Sequence, residues 1–373
     1  MEALVNKIIP FSSVDGPGNR TAIFLQGCNF NCQYCHNPET IHLCGHCGVC
    51  VGACPTGALQ KEGETVTWDP VKCCLCDACA DDCCSDIKPN IFIREGRTHA
   101  VANGLAPKAV MDAIDVVEKT GSLFGAAMNA DVKAAAAALP AQADVVLFLG
   151  ETAATVAPSV ALAAISLLKK AGVNFTVLQD EPASGSMLSE LIGYTGDVQE
   201  QAKKAAAAIA ATGAKTVVAL DPYDACIFTE KYAQWNLLSD VQVITATTFV
   251  ADLVADGKLQ PKAVELTASY HDPDRLSRGI GETEPAREVI KALGVNVIEM
   301  FLNRNLGRSC GGPVMNVYAP DVVKKIVDVR EQDAIRMGSN CIITASPSDY
   351  YVMTTEGGTV SYQDLFALLD ANC

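Results

Sequence analysis

The sequence has no uninterrupted apolar stretch long enough to cross a bilayer, and no basic start followed by an apolar run. Neither a membrane span nor an export signal is therefore expected. Positive charge is scarce as well: 28 Lys and Arg stand against 43 Asp and Glu, for a formal net charge of −15. That balance argues against nucleic acid or an anionic membrane surface as a partner. Cysteine is sparse through most of the chain, where only Cys226, Cys310, Cys341 and Cys373 occur after Cys84. The other thirteen of the 17 crowd between Cys28 and Cys84. Without an export signal, such spacing points to metal ligation in a reducing, cytoplasmic compartment rather than to disulfides. The chain has 373 residues, 49% of them hydrophobic, enough for two or three domains with cores of their own.

The densest early stretch runs from Gly27 through Cys28, Cys32, Tyr34 and Cys35 to Pro38. Three thiols spaced C-x3-C-x2-C can hold three irons of a four-iron cluster and leave the fourth open, unlike the closed four-thiolate site of an electron carrier. A zinc loop is the alternative, but zinc prefers C-x2-C pairs plus a fourth ligand. The flanks are distinctive too, with Ile9–Arg20 carrying Asp15-Gly16-Pro17-Gly18 and the loop closing on Cys35-His36-Asn37-Pro38. Together they resemble the opening of radical S-adenosylmethionine (SAM) enzymes that activate glycyl radical enzymes. The resemblance implies catalytic Cys28, Cys32 and Cys35, with SAM chelated at the open iron and its adenine against Tyr34. It also places Asp15, Gly16, Gly18 and Arg20 on the cofactor edge that faces a partner's glycine loop. The activity it implies is reductive cleavage of SAM to a radical that abstracts hydrogen from that glycine. The implied partners are a glycyl radical enzyme and a flavodoxin- or ferredoxin-type electron donor. Residues 5–11 and 20–27 read as strands around the Asp15–Gly18 turn.

Two runs of C-x2-C-x2-C-x3-C follow, Cys44-Cys47-Cys50-Cys54 and Cys73-Cys76-Cys79-Cys83. This is the two-cluster ferredoxin pattern, in which the fourth cysteine of each run serves the other cluster. The expected sets are Cys44, Cys47, Cys50 with Cys83, and Cys73, Cys76, Cys79 with Cys54. Cys74 and Cys84 are surplus thiols. Activating enzymes of this class carry such an insert, but the match fades after Leu105–Ile114, and no Gly-Gly-Glu-Pro segment follows.

From about residue 140 the pattern alternates strand and helix: Val145–Leu149, Pro158–Lys170, Phe175–Leu178, Gln201–Ala211 and Thr216–Leu220. The segment around Lys170–Phe175 recurs at Ala292–Val297, and Gly213–Pro222 recurs at Gly338–Pro347, marking two tandem halves. Each half resembles the cysteine-rich CCG domain of heterodisulfide reductase and of glycolate oxidase iron–sulfur subunits. In that family each half offers a cysteine, a Cys-Cys-Gly and a Cys-Pro-x-Cys. Here the places hold Glu151, Ala183-Ser184-Gly185 and Asp221-Pro222-Tyr223-Asp224, then Asp274, Ser309-Cys310-Gly311 and Ser346-Pro347-Ser348-Asp349. Of ten expected cysteines only Cys310 remains, so a thiolate-held cluster is not expected there. Either the scaffold has become structural, or Glu151, Asp221, Asp224, Asp274 and Asp349 converge as a carboxylate cup, with His271 as a ligand or base.

The expected fold class is α/β, with a partial radical SAM-type segment at 1–42 and a ferredoxin-like α+β insert at 43–95. A helical connector at 96–140 and CCG-type halves at 141–240 and 241–373 complete it. The implied cofactors are three [4Fe-4S] clusters, one with an open iron, together with SAM. The expected function is that of an activase that cleaves SAM to make a glycyl radical on a partner enzyme; the alternative is an electron-transfer subunit of an anaerobic oxidoreductase complex, serving a flavin dehydrogenase subunit.

Overall fold

The computed structural model describes residues 5–12, 20–25, 44–69, 71–83 and 89–373. The loop of Cys28, Cys32, Tyr34 and Cys35, the turn with Asp15, Gly16 and Gly18, and Cys84 lie outside the described residues, as does the side chain of Arg20. Strands β1 (Val5–Ser12) and β2 (Arg20–Leu25) pair antiparallel with Ile8 opposite Ile23. Both isoleucines are exposed.

The ferredoxin-like part is a two-stranded antiparallel ribbon, β3 (Leu59–Glu62) and β4 (Thr65–Trp68), with two short helices, α1 (Val49–Ala53) and α2 (Ala78–Asp81). The two cysteine runs share a backbone as well as a spacing. His46 and Leu75, each two residues after the first cysteine, have φ of 50° and 56°, and Gly48 and Asp77, each one after the second, have φ of 87° and 61°. Left-handed backbone is costly for three of these four residues, and its repetition marks a conformation held for a purpose. Helices α3 (Pro89–Ala102), α4 (Lys108–Thr120) and α5 (Ala130–Ala137) lead onward.

The remainder is two α/β units of one design. The first comprises β5 (Val145–Phe148), α6 (Glu151–Thr155), α7 (Pro158–Lys170), β6 (Phe175–Thr176), α8 (Ser186–Ile192), α9 (Gly196–Ala211), β7 (Thr216–Ala219), α10 (Pro222–Ile227), β8 (Gln242–Thr245) and α11 (Ala246–Ala255). The second comprises β9 (Thr267–His271), a π-helical turn at Arg275–Ile280, α12 (Pro285–Ala292), β10 (Asn296–Val297), α13 (Gly312–Tyr318), α14 (Pro320–Met337), β11 (Cys341–Thr344), α15 (Pro347–Glu356), β12 (Ser361–Asp364) and α16 (Leu365–Asp370). Both sheets are parallel, in the orders β6-β5-β7-β8 and β10-β9-β11-β12. Strands such as Val145-Val146-Leu147-Phe148 and Cys341-Ile342-Ile343-Thr344 are apolar almost throughout because helices cover both faces. Helix α7 begins on Pro158, whose missing N–H costs nothing at that position, and ends on Lys169 and Lys170 against the negative end of the dipole.

Strand β8 joins the first sheet although it follows residue 240, where the first half was expected to end. The units pack reciprocally. Helix α7 lies on α16 while its counterpart α12 lies on α11, and α15 meets α6 while α10 meets the Arg275–Ile280 turn. Such exchange of equivalent pairs is the mark of a pseudo-twofold axis. It brings the carboxyl ends of both sheets, where open α/β sheets place their sites, toward one another.

Candidate metal centre

The eight ferredoxin-type thiols gather in two crossed groups. The Cys50 thiol is pushed up first by burial and then by Cys44, Cys47 and Cys83. The Cys73 thiol, raised to about 11 mainly by burial, has Cys76 and Cys54 as its thiol neighbours. Cys79 is likewise raised by burial and by Cys76, Cys73 and Cys54. Each group thus takes three cysteines from one run and the last cysteine of the other. Four convergent soft donors on a loop with repeated left-handed turns fit a four-iron cluster. The first group is open to solvent, with Cys44 and Cys47 exposed, whereas Cys76 is buried. The surplus thiol of Cys74 is buried and hydrogen-bonded to Cys76, a contact that lowers the Cys76 thiol.

The second loop is clamped by arginines from elsewhere in the chain. Arg97 on α3 donates to the Cys73 carbonyl, Arg275 to Leu75 O at 2.7 Å, and Arg278 to Cys76 O at 2.5 Å. Tyr318 adds a hydroxyl 3.4 Å from the Cys73 carbonyl. Three cations on three carbonyls of one cysteine loop fix its shape and place positive charge beside the thiols. Nothing local in the sequence signals these contacts, which span up to 202 residues.

At the pseudo-twofold junction, the positions expected to hold cysteines in a CCG domain do meet. Asp221 is fully buried, accepts from Ser348 Oγ of the second unit, and Ser348 lies 2.8 Å from Thr152 of the first. Asp224 accepts from Ser184 and Ser186. Burial raises Asp224 to about 6 and, with Asp224 as a like charge, lifts Asp221 well above the carboxylate range. Burial is also the main cause that raises Asp274. Glu151 turns away to accept from Leu123 N–H at 2.7 Å and is raised to about 7 by burial. Sequence reasoning missed Glu181, which accepts from the N–H groups of Leu149 and Gly150 and is raised to about 8, again by burial. Asp221, Glu151 and Glu181 are therefore satisfied by hydroxyls and backbone, whereas Asp224 Oδ2, Asp274 Oδ2 and both oxygens of Asp349 are buried without a hydrogen-bond partner.

His271, Cys310 and Asp349 lie fully buried with ligand atoms within 4.8 Å of one another. The distances suit a cation, but the protonation does not. Arg330 Nε donates to His271 Nδ1 at 3.0 Å, so the imidazole lone pair is used there and Nε2 carries the hydrogen. That hydrogen faces Asp349 Oδ2, 3.3 Å away. The imidazole thus offers a metal no lone pair, while its Nε2 and both Asp349 carboxylate oxygens are buried without a hydrogen-bond partner beside the Cys310 thiol, which burial keeps protonated.

Comparison with known proteins finds relatives of both parts of the chain. Residues 14–64 match the family model described as a 4Fe-4S single cluster domain. A subunit of the dihydromethanophenazine:CoB–CoM heterodisulfide reductase of Methanosarcina acetivorans is 30% identical over 315 residues, covering 79% of this chain and 74% of that protein. A probable membrane-anchored ferredoxin of Chromohalobacter salexigens is 27% identical over 305 residues, 76% of this chain and 45% of that protein. A putative glycyl-radical enzyme activating enzyme of Haemophilus influenzae is 70% identical, but over only 37 residues, 10% of this chain and 14% of that protein. Among the described residues no helix is long and apolar enough to cross a membrane. The chain is an iron–sulfur protein that belongs to the family of this heterodisulfide reductase subunit, with an N-terminal segment similar to glycyl-radical-enzyme activating enzymes.

Proposed function

We propose that the chain is an iron–sulfur electron-transfer subunit of an anaerobic oxidoreductase complex. The crossed thiol groups carry this reading: one faces solvent at Cys44 and Cys47, and the other is sunk against the duplicated scaffold at Cys76. Clusters held there would each carry one electron. The residues do the rest. Cys44, Cys47, Cys50 and Cys83 present an entry that a soluble carrier can approach. Cys73, Cys76, Cys79 and Cys54 hold the interior position, where Arg97, Arg275 and Arg278 offset negative charge. The likeness to the heterodisulfide reductase subunit over most of the chain supports this assignment. Replacing Cys44, Cys47 and Cys50 by Ala should remove one cluster, about four irons. It should also slow reduction of the remaining cluster by a reduced ferredoxin. Unchanged reduction kinetics in that variant would refute the relay.

A second reading, activation of a glycyl radical enzyme, rests on the local 70% identity to an activating enzyme. It assigns Cys28, Cys32 and Cys35 to a third cluster that binds SAM, with Tyr34 against the adenine. The missing Gly-Gly-Glu-Pro segment, which grips the SAM amino group in the activating enzymes, places it second.

A further inference from the structure

The second cysteine loop, α3, α8 and the junction of α10 with the Arg275–Ile280 turn enclose a cavity of about 710 Å3. The equivalent junction on the other side of the pseudo-twofold axis, between α6 and α15, is closed by the Thr152–Ser348 hydrogen bond. The cavity's size lies within the range of small-molecule sites, roughly 300–1,000 Å3.

Its lining carries four cations and four carboxylates, in a chain whose net charge is −15. Arg94, Lys231, Arg275 and Arg278 point their cationic groups to its wall, with side-chain exposures of 17%, 16% and 8% for the first three. Two carboxylates lie inside, Asp77 and Glu190, while Glu95 and Glu230 are exposed at the mouth. Glu190 is shared between Arg275, 2.9 Å away, and Arg94, at 3.5 Å. Lys231 pairs with Glu230 at 2.8 Å at the mouth, which leaves Arg94, Arg275 and Arg278 facing Asp77 and Glu190 further in. Two of the donors, Arg275 Nε and Arg278 Nη2, are buried with no hydrogen-bond partner. Tyr194 holds the pair at the rim, with the Arg94 guanidinium 4.6 Å and the Lys231 ammonium 4.4 Å from its ring centre. Buried guanidinium N–H groups left without an acceptor are costly, and an anion entering the cavity would supply one.

We propose that this cavity binds a small organic polyanion, a di- or tricarboxylate or a phosphorylated compound, against Arg94, Lys231, Arg275 and Arg278. Carboxylate and phosphate both match the planar fork of a guanidinium. Arg275 and Arg278 also donate to Leu75 O and Cys76 O of the second cysteine loop. On the electron-transfer reading, ligand binding and reduction at that loop are then linked. A bound anion draws on the same positive charge that favours the reduced state, so it lowers the reduction potential, and by reciprocity reduction weakens the ligand.

The test is calorimetric titration of the anaerobically reconstituted full chain with citrate and, separately, pyrophosphate. One saturable equivalent of at least one probe is expected, and the probe that binds assigns the ligand to carboxylate or phosphate. Arg94→Gln and Lys231→Gln, neither of which touches the cysteine loop, should each weaken that probe by about tenfold, the loss of one charge-assisted contact. No saturable binding of either probe, or unchanged affinity in both variants, would overturn the site. A redox titration followed by electron paramagnetic resonance should then show one cluster shifted to lower potential by the bound probe. Binding without a shift would overturn the linkage and leave the site standing. Binding to a chain whose clusters accept no electrons would refute the electron-transfer reading alone.

Discussion

Left-handed backbone costs a substituted glycine more where the new side chain would also meet a neighbour. Gly150 follows β5 with φ of 79°, and a Cβ there would lie 2.3 Å from Asp224 Oδ2 and 3.0 Å from Asp221 Cβ. Gly213 has a similar φ of 72° and open space around it. Gly213→Ala should therefore cost only the left-handed backbone, about 1–2 kcal/mol. Gly150→Ala should cost clearly more, as read by urea unfolding, because it also displaces a buried carboxylate pair. Buried acids predict a pH dependence whose sign is fixed. Asp364 is 2% exposed, and burial raises it from 3.8 to about 7, while its Oδ1 caps α16 by accepting from Ala367 N–H at 2.8 Å. The folded chain therefore holds a proton that the unfolded chain releases. The associated stability is complete below about pH 4 and is lost as pH rises through about 7. Asp364→Asn keeps the cap and removes the titration. It should flatten the fall in stability between pH 5 and pH 8 by an amount on the order of a few kcal/mol. An unchanged slope in the variant would show that Asp364 ionises normally in the folded chain.

At the scale of elements, the guanidinium clamp on the second cysteine loop should tune the potential of whatever that loop holds. Reduction adds negative charge, and Arg278 lies against the Cys76 carbonyl. Arg278→Gln should lower the midpoint potential of one cluster and leave the other unchanged, because the group at Cys44 and Cys47 is exposed and screened by water. A shift in both, or in neither, would contradict the assignment of the clamp to one loop. The sequence showed the thiols but not the clamp, for a physical reason. Cysteine spacing is a local constraint, since a cluster must be reached from one short loop. Arg97, Arg275 and Arg278 meet that loop across 24, 200 and 202 positions, and no periodicity encodes such contacts. The alternating elements were legible because helix and strand periods are local too. Pro158–Lys170 was expected as a helix and forms one over those residues. The place of β8 in the first sheet was not legible, because only pairing with β7 decides it. Likewise His271 was legible as a candidate ligand, but Arg330, which sets its tautomer, lies 59 positions away on a helix that otherwise looks like a surface element.

For the whole molecule, an iron count and SAM together test how the N-terminal segment relates to the two ferredoxin-type runs behind it. Eleven cysteines in three motifs, Cys28/Cys32/Cys35 and the two ferredoxin runs, give an expected total of about twelve irons after anaerobic reconstitution. Replacing Cys28, Cys32 and Cys35 by Ala should reduce this to about eight irons and leave two closed clusters. SAM then separates the functions. On the activase reading an open iron takes two new hard donors, the amine and carboxylate of SAM, so the signal of the reduced three-cysteine cluster should change on adding SAM. Closed four-thiolate clusters have no position to offer and should not respond. As an electron-transfer subunit, the chain should give no 5′-deoxyadenosine with dithionite and SAM. Its electron paramagnetic resonance signal should be the same with and without millimolar SAM. A SAM-dependent spectrum with 5′-deoxyadenosine as product, both abolished by Cys32→Ala, would reverse the order of the two readings. The crossed clusters would then be the electron supply of a radical enzyme. Grip on SAM should in that case be weak without a partner, because no Gly-Gly-Glu-Pro segment is present to hold the amino group and a primary radical survives only where water is excluded.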